Sequence, residues 1–162
     1  MKRWACGAVV GLVFVASCGS TGGSSDPKAK PKATAEAKVY SPAEMQEKWT
    51  PVLQKHAEDM GPMTASLCMP PDLFTKDCDE AGKALAQDAN ELIREVAGRP
   101  GFGDLLKYAR GVQTARDTYT SSECLTQASG DAYRDCVMAG RTLSLGAQSL
   151  LAGVNAAAMD SQ

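Results

Sequence analysis

An internal repeat constrains this chain more than any other feature. Residues 77–96 (DCDEAGKALAQDANELIREV) align without a gap with residues 135–154 (DCVMAGRTLSLGAQSLLAGV), and eight of these positions are identical. Self-similarity within one chain is the signature of a duplicated structural unit. Both copies must therefore adopt the same local structure, and the fold must bury both.

The apolar positions shared by the two copies recur every three or four residues, which predicts an amphipathic helix in each copy. These positions are Ala81, Leu85, Ala89, Leu92, Ile93 and Val96 in the first copy, and Ala139, Leu143, Ala147, Leu150, Leu151 and Val154 in the second. Asp77 and Asp135 precede the stripes. We predict both as N-caps, because a carboxylate there accepts backbone N–H bonds and faces the positive end of the helix dipole.

The similarity also extends upstream of each stripe. Trp49, Leu53 and His56 fall opposite Leu105, Ala109 and Val112, and each unit carries a cysteine before its loop. Because one helical hairpin cannot bury its own apolar stripe, two hairpins are expected to pack together. We predict an all-α, four-helix bundle-like domain over residues 39–162, built from two repeated disulfide-stapled hairpins at about 41–98 and 102–158.

Helix ends are marked by capping and breaking residues. Ser41 as N-cap, Pro42 at the first helical position and Glu44 in the first turn start the first helix. Pro51 is expected to kink or split this helix. The predicted helices cover about 41–60, 78–97, 103–120 and 132–158.

Residues 1–17 have the features of a signal peptide: a short basic start and then an apolar segment too short to span a bilayer. The segment ends in Val15-Ala16-Ser17-Cys18, which resembles the lipobox of bacterial lipoproteins, with Val15 where leucine is commonest. This resemblance implies lipidation of Cys18, by palmitate or a similar acyl chain, removal of the preceding peptide and a place on the extracytoplasmic face of the cell membrane. An ordinary secretory signal is the alternative. Residues 18–38 lack large apolar side chains and read as a disordered linker.

Four cysteines remain in the predicted helical domain: Cys68, Cys78, Cys124 and Cys136. An even number of cysteines in an exported domain indicates disulfides. The repeat favours the pairs 68–78 and 124–136, although both loops of a bundle lie at one end and pairing between hairpins is also conceivable. A zinc site or a redox pair is disfavoured because the domain lacks a Cys-x-x-Cys motif.

No motif for catalysis, covalent haem or a phosphate-binding loop is present in the sequence, so we predict no enzyme and no cofactor. His56, Met60 and Met63 form a His-x3-Met-x2-Met pattern, whose soft ligands would suit copper. The equivalents of His56 and Met63 in the second copy are Val112 and Tyr119, which favours a packing role instead. Residues 40–98 carry a net charge of −6 and residues 99–162 a net charge of zero, so nucleic acid is not an expected partner.

The two copies differ most outside the stripe. Four charged residues of the first copy become small and neutral in the second, where Gly146, Ser149, Ala152 and Gly153 occupy these positions. Residues 142–159 contain no charge, which is unusual for a helix that faces water. The helix could be covered inside the domain, span a membrane, or contact a partner protein or a second copy. From the last of these we predict a membrane-anchored, non-enzymatic binding or scaffolding protein with a docking face on its fourth helix; the alternative is a small-ligand or copper carrier.

Overall fold

The computed structural model describes residues 39–62, 66–126 and 129–161. The signal, linker and lipidation predictions for residues 1–38, including Cys18, lie outside these ranges, and so does Met63. Residues 37–162 form one compact unit. It contains α1 (Pro42–Met60), α2 (Lys76–Val96), α3 (Gly103–Ser121) and α4 (Gly130–Met159), with short 3-10 helices at Asp72–Phe74 and Cys124–Thr126. No strand occurs within the described ranges, and the predicted all-α fold is confirmed.

The start of α1 follows the predicted capping pattern. The Ser41 hydroxyl accepts a hydrogen bond from the backbone N–H of Glu44, and the Glu44 carboxylate accepts one from the backbone N–H of Ser41. This reciprocal pair satisfies two backbone donors that the first turn leaves free. The sequence predicts a kink or a split of this helix at Pro51; the split is wrong, because α1 continues through Pro51 to Met60. Trp49 and Leu53 are buried on either side of the exposed proline and hold both parts of the helix on the core.

The predicted N-caps of α2 and α4 are also wrong. The side chain of Thr75 caps α2 by accepting a hydrogen bond from the N–H of Cys78, so Asp77 lies inside the first turn. Ser129 occupies the N-cap position of α4, and Asp135 lies beyond the first turn. Both helices start earlier than the repeat begins. The two copies share the apolar stripe but not the capping residue that precedes it.

The helices pack as a bundle in which α4 contacts α3 and α1 most extensively, and α2 packs mainly on α3. Its core contains the stripe residues of both copies. In four equivalent pairs, both side chains are at most 1 % exposed: Leu85 and Leu143, Ala89 and Ala147, Leu92 and Leu150, and Val96 and Val154. The repeated sequence is therefore the part of the chain that forms the shared core.

Both disulfides join cysteines of the same hairpin, Cys68 to Cys78 and Cys124 to Cys136, as predicted. The four cysteines are almost fully buried. Each bond links the loop of its hairpin to the helix that follows, so both lie at the end of the bundle where α1 and α3 finish. Closing a loop of this length stabilises a domain by roughly 3 kcal/mol, mainly through the unfolded state.

The loop of the first hairpin is packed against the second hairpin. The hydroxyl of Tyr119 donates a hydrogen bond of 2.6 Å to the carbonyl oxygen of Leu73, and the Ser66 hydroxyl donates one of 2.6 Å to the Ser144 hydroxyl. Both contacts are buried, so each polar group finds its partner within the protein. The stapled loop therefore fixes the two hairpins together as well as joining α1 to α2.

Candidate functional site

The residues that differ between the two repeat copies lie at the contacts within each hairpin. In α2 the charged residues Asp88, Glu91 and Glu95 face α1, whereas their equivalents in α4 are Gly146, Ser149 and Gly153. Equivalent positions thus connect the two helices of each hairpin, through charged side chains in the first hairpin and through small residues in the second.

In the first hairpin, polar side chains connect α1 to α2. Nζ of Lys48 lies 2.9 Å from Oε1 of Glu91 and also binds Glu95, while the Trp49 indole donates a 2.8 Å hydrogen bond to Glu95. The hydrogen bond from Lys48 lowers the pKa of Glu91. Burial disfavours the charged form of Lys48, but its hydrogen bonds with Glu95 and Glu91 outweigh this and raise its pKa. Ion pairs and a hydrogen bond between side chains therefore connect these two helices.

In the second hairpin, close packing replaces those polar connections. A Cβ atom added to Gly146 would lie 2.8 Å from Cγ2 of Val112, and one added to Gly153 would lie 2.8 Å from Cα of Leu105. Val112 is the repeat equivalent of His56, and Leu105 is that of Trp49. Glycine at these two positions of α4 lets α3 approach closely.

The structure corrects half of the predicted partner face. Gly153 is buried against α3, so its surface is not open to a partner protein; Gly146 is also buried, between Leu85 of α2 and Val112 of α3, and it lines the groove between α3 and α4. Ser149 is half-buried and Ala152 is exposed. Loss of charge at the two glycines is thus explained by packing inside the domain, while the outward-facing positions of α4 need a separate explanation.

A shallow groove runs between α3 and α4 on the outside of the bundle. It consists of two adjoining depressions of about 360 and 300 Å³ that share Gly111 and Thr142. Lys107 is the one charged residue among those lining them. The linings comprise Lys107, Tyr108, Gly111, Val112, Thr114, Ala115 and Thr118 from α3, and Met138, Ala139, Thr142, Leu145, Gly146 and Ser149 from α4. The repeat does not indicate the part from α3, although Gly111, a glycine in the middle of a predicted helix, is a sequence signal for close approach there.

One strip of α4 beside this groove carries no charge. We call it the α4 outer stripe; it comprises Met138, Thr142, Leu145, Ser149, Ala152, Ala156 and Met159. Its two methionines are 60 % and 67 % exposed, which is high for large apolar side chains. An exposed apolar surface of this kind often marks a site of protein interaction.

His56 and Met60, two residues of the alternative copper site, each have contacts within the domain. Nε2 of His56 lies 2.6 Å from Oδ2 of Asp88, and Met60 is only 1 % exposed within the core. Met63 lies outside the described ranges. No cluster of three or more His, Cys, Asp or Glu residues suited to a metal ion occurs in the part of the chain that the structure describes. His56 thus has a structural partner in α2.

Across the described ranges, each helix is too short or too polar to traverse a lipid bilayer. No protein-family model, curated protein or solved structure matches this chain.

Proposed function

We propose that this chain is a lipid-anchored protein of the bacterial cell envelope whose helical domain binds another protein without catalysing a reaction. The anchor is Cys18, which follows the lipobox-like triplet, and residues 18–38 connect it to the bundle. Binding takes place on the extracytoplasmic side of the membrane. Two buried disulfides support this location, because such bonds persist in oxidising compartments and are rare in the cytosol.

The contrast between the two hairpins is the observation that carries the binding role. In hairpin one the ion pairs of Lys48 connect α1 to α2, while in hairpin two a groove between α3 and α4 lies open beside the uncharged α4 outer stripe. Packing inside the domain accounts for Gly146 and Gly153 but leaves Ala152 and Met159 exposed without charge. A binding surface explains why these outward positions are neutral.

A photo-reactive amino acid at Ala152 tests the proposal in intact cells. Ala152 and its repeat equivalent Arg94 are both exposed, so the same amino acid at Arg94 is the matched control. Illumination is expected to attach a protein to position 152 and none to position 94. Absence of a protein adduct at position 152, or equal adducts at both positions, would contradict a specific binding surface there.

The anchor is tested separately through Cys18→Ser. The parent protein is expected to fractionate with membranes and to incorporate a labelled fatty acid, and the variant is expected to do neither. Unchanged fractionation and labelling of the variant would rule out lipidation at Cys18.

A further inference from the structure

The α4 outer stripe has the spacing of a coiled-coil seam. Its residues follow one another at alternating steps of four and three, from Met138 to Met159, which is the a/d pattern of a heptad repeat. The stripe is about 30 Å long at the usual rise of an α-helix. Met138, Thr142, Ala152 and Met159 are exposed, and Leu145, Ser149 and Ala156 are half-buried.

We propose that the α4 outer stripe pairs with the same stripe of a second copy of this chain, with the two α4 helices antiparallel. The inference rests on the binding role proposed above and names the partner at that surface. Two such helices would also place parts of each partner over the neighbouring groove beside α3. The result is a two-fold symmetric dimer, the commonest form of soluble homo-oligomer.

The distribution of side-chain size along the stripe favours the antiparallel arrangement. Its first half contains the large residues Met138 and Leu145, and most of its second half consists of the small residues Ser149, Ala152 and Ala156. Antiparallel pairing sets Leu145 of one copy against small residues of the other, so the surfaces interdigitate. Parallel pairing would place the two Leu145 side chains together and leave a gap between the small residues, at a cost in packing.

The charges around the stripe are compatible with pairing of identical surfaces. The stripe itself carries none; of the flanking residues Arg141 and Gln148 are exposed, and Asn155 is half-buried and accepts a hydrogen bond from Gln46 of α1. In the antiparallel arrangement the exposed Arg141 lies near these neutral amides of the partner and not near a second arginine. The stripe's own residues therefore add no like-charge repulsion, and the one charged residue that lines the neighbouring groove is Lys107 of α3.

The size of the surface indicates a weak dimer. Half of the curved surface of a helix about 10 Å in diameter and about 30 Å long is on the order of 500 Å², or about 1,000 Å² for two copies. This is at the low end for a specific interface, the size class of weak and transient association. Anchoring both copies to one membrane would raise their effective concentration and favour the dimer.

Sedimentation analysis of residues 37–162, the compact unit with its complete core and both disulfides, tests the proposal. From about 1 µM to 1 mM protein, the apparent mass is expected to rise towards twice that of one chain. Ala152→Glu is expected to weaken association at least about tenfold, since it places a carboxylate in the seam. The matched control is Ala43→Glu, the same change at an exposed position of α1, which is expected to leave association unchanged.

Thermal unfolding monitored by circular dichroism shows whether each variant folds like the parent. If the parent chain remains monomeric over this range, or if Ala43→Glu weakens association as much as Ala152→Glu, the proposal is overturned. Orientation is tested with Thr142→Cys and Ala156→Cys chains and a short thiol crosslinker. Antiparallel pairing predicts crosslinks between the two variants and few between two Thr142→Cys chains; the reverse result would overturn the arrangement.

The experiment in intact cells separates this inference from the proposed function. An adduct at Ala152 with twice the mass of the chain supports both. Adducts with other proteins alone would retain the binding role and overturn the second copy as its partner. Absence of any adduct would overturn the proposed function itself.

Discussion

Gly153→Ala tests whether α3 and α4 pack closely because α4 lacks a side chain at this position. The added Cβ would lie 2.8 Å from Cα of Leu105 and 3.2 Å from its backbone nitrogen. Since the obstacle is backbone, α3 must move as a unit, and the cost is expected near the upper end of overpacking, about 3 kcal/mol. Replacing glycine by alanine inside a helix returns about 1 kcal/mol. The free energy of unfolding should fall by about 2 kcal/mol.

Gly111→Ala is the matched control, because it makes the same change in mid-helix. Nothing lies within 4 Å of the Cβ that it adds. This variant should gain about 0.5–1 kcal/mol from helix propensity alone. Urea unfolding of the oxidised proteins, followed by far-ultraviolet circular dichroism, should separate the two variants by about 3 kcal/mol. Equal stabilities would show that the helices can part to admit a methyl group, and the explanation of Gly153 would be refuted.

Three further predictions concern the contacts that hold the hairpins. Glu91→Gln should cost only about 0.5 kcal/mol, because the Lys48 pair is partly exposed. Because the pKa of Glu91 is lowered in the folded state, this stabilisation is present above the unfolded carboxyl pKa of about 4.3 and is lost as the pH falls through the native pKa. Urea titrations of variant and parent should therefore give the same stability at about pH 2. Tyr119→Phe should cost about 1–2 kcal/mol by leaving the buried Leu73 carbonyl without its donor. Burial, with the nearby negative charge of Asp79, raises the pKa of Tyr119, so alkaline urea titrations should show the parent losing stability above about pH 10 faster than the variant. Reduction of both disulfides should lower the thermal midpoint, and thiol labelling should show that reduction is slow without denaturant because the sulfurs are buried.

The internal repeat was enough to predict the helices and the cysteine pairs. An apolar residue at every third or fourth position forces a helix to turn that side inward, and two related copies supply two such sides. The cysteines paired as predicted because each pair lies close in sequence across its own loop. Helix starts were less predictable, since Thr75 and the 3-10 helix before it provide a cap that the alignment of the two copies does not contain.

The prediction for α4 was partly misplaced for a physical reason. Loss of charge at Gly146 and at Ala152 looks identical in the sequence, yet the first residue is buried and the second is exposed. Small uncharged residues can have two causes in such a helix: close approach to a neighbouring helix, or an exposed surface that carries no charge. Separating these causes requires the direction of each Cα–Cβ bond relative to α3.

By itself, the sequence determined that two like helical hairpins share one core, because the periodic stripe and the paired cysteines allow few other arrangements. Only the tertiary structure decided how each hairpin closes: Lys48 and Glu91 connect α1 to α2, while Gly153 lets α3 rest directly on α4. It also decided which side of α4 is left exposed. These outcomes depend on distances between helices that are far apart along the chain, and local periodicity carries no information about such distances.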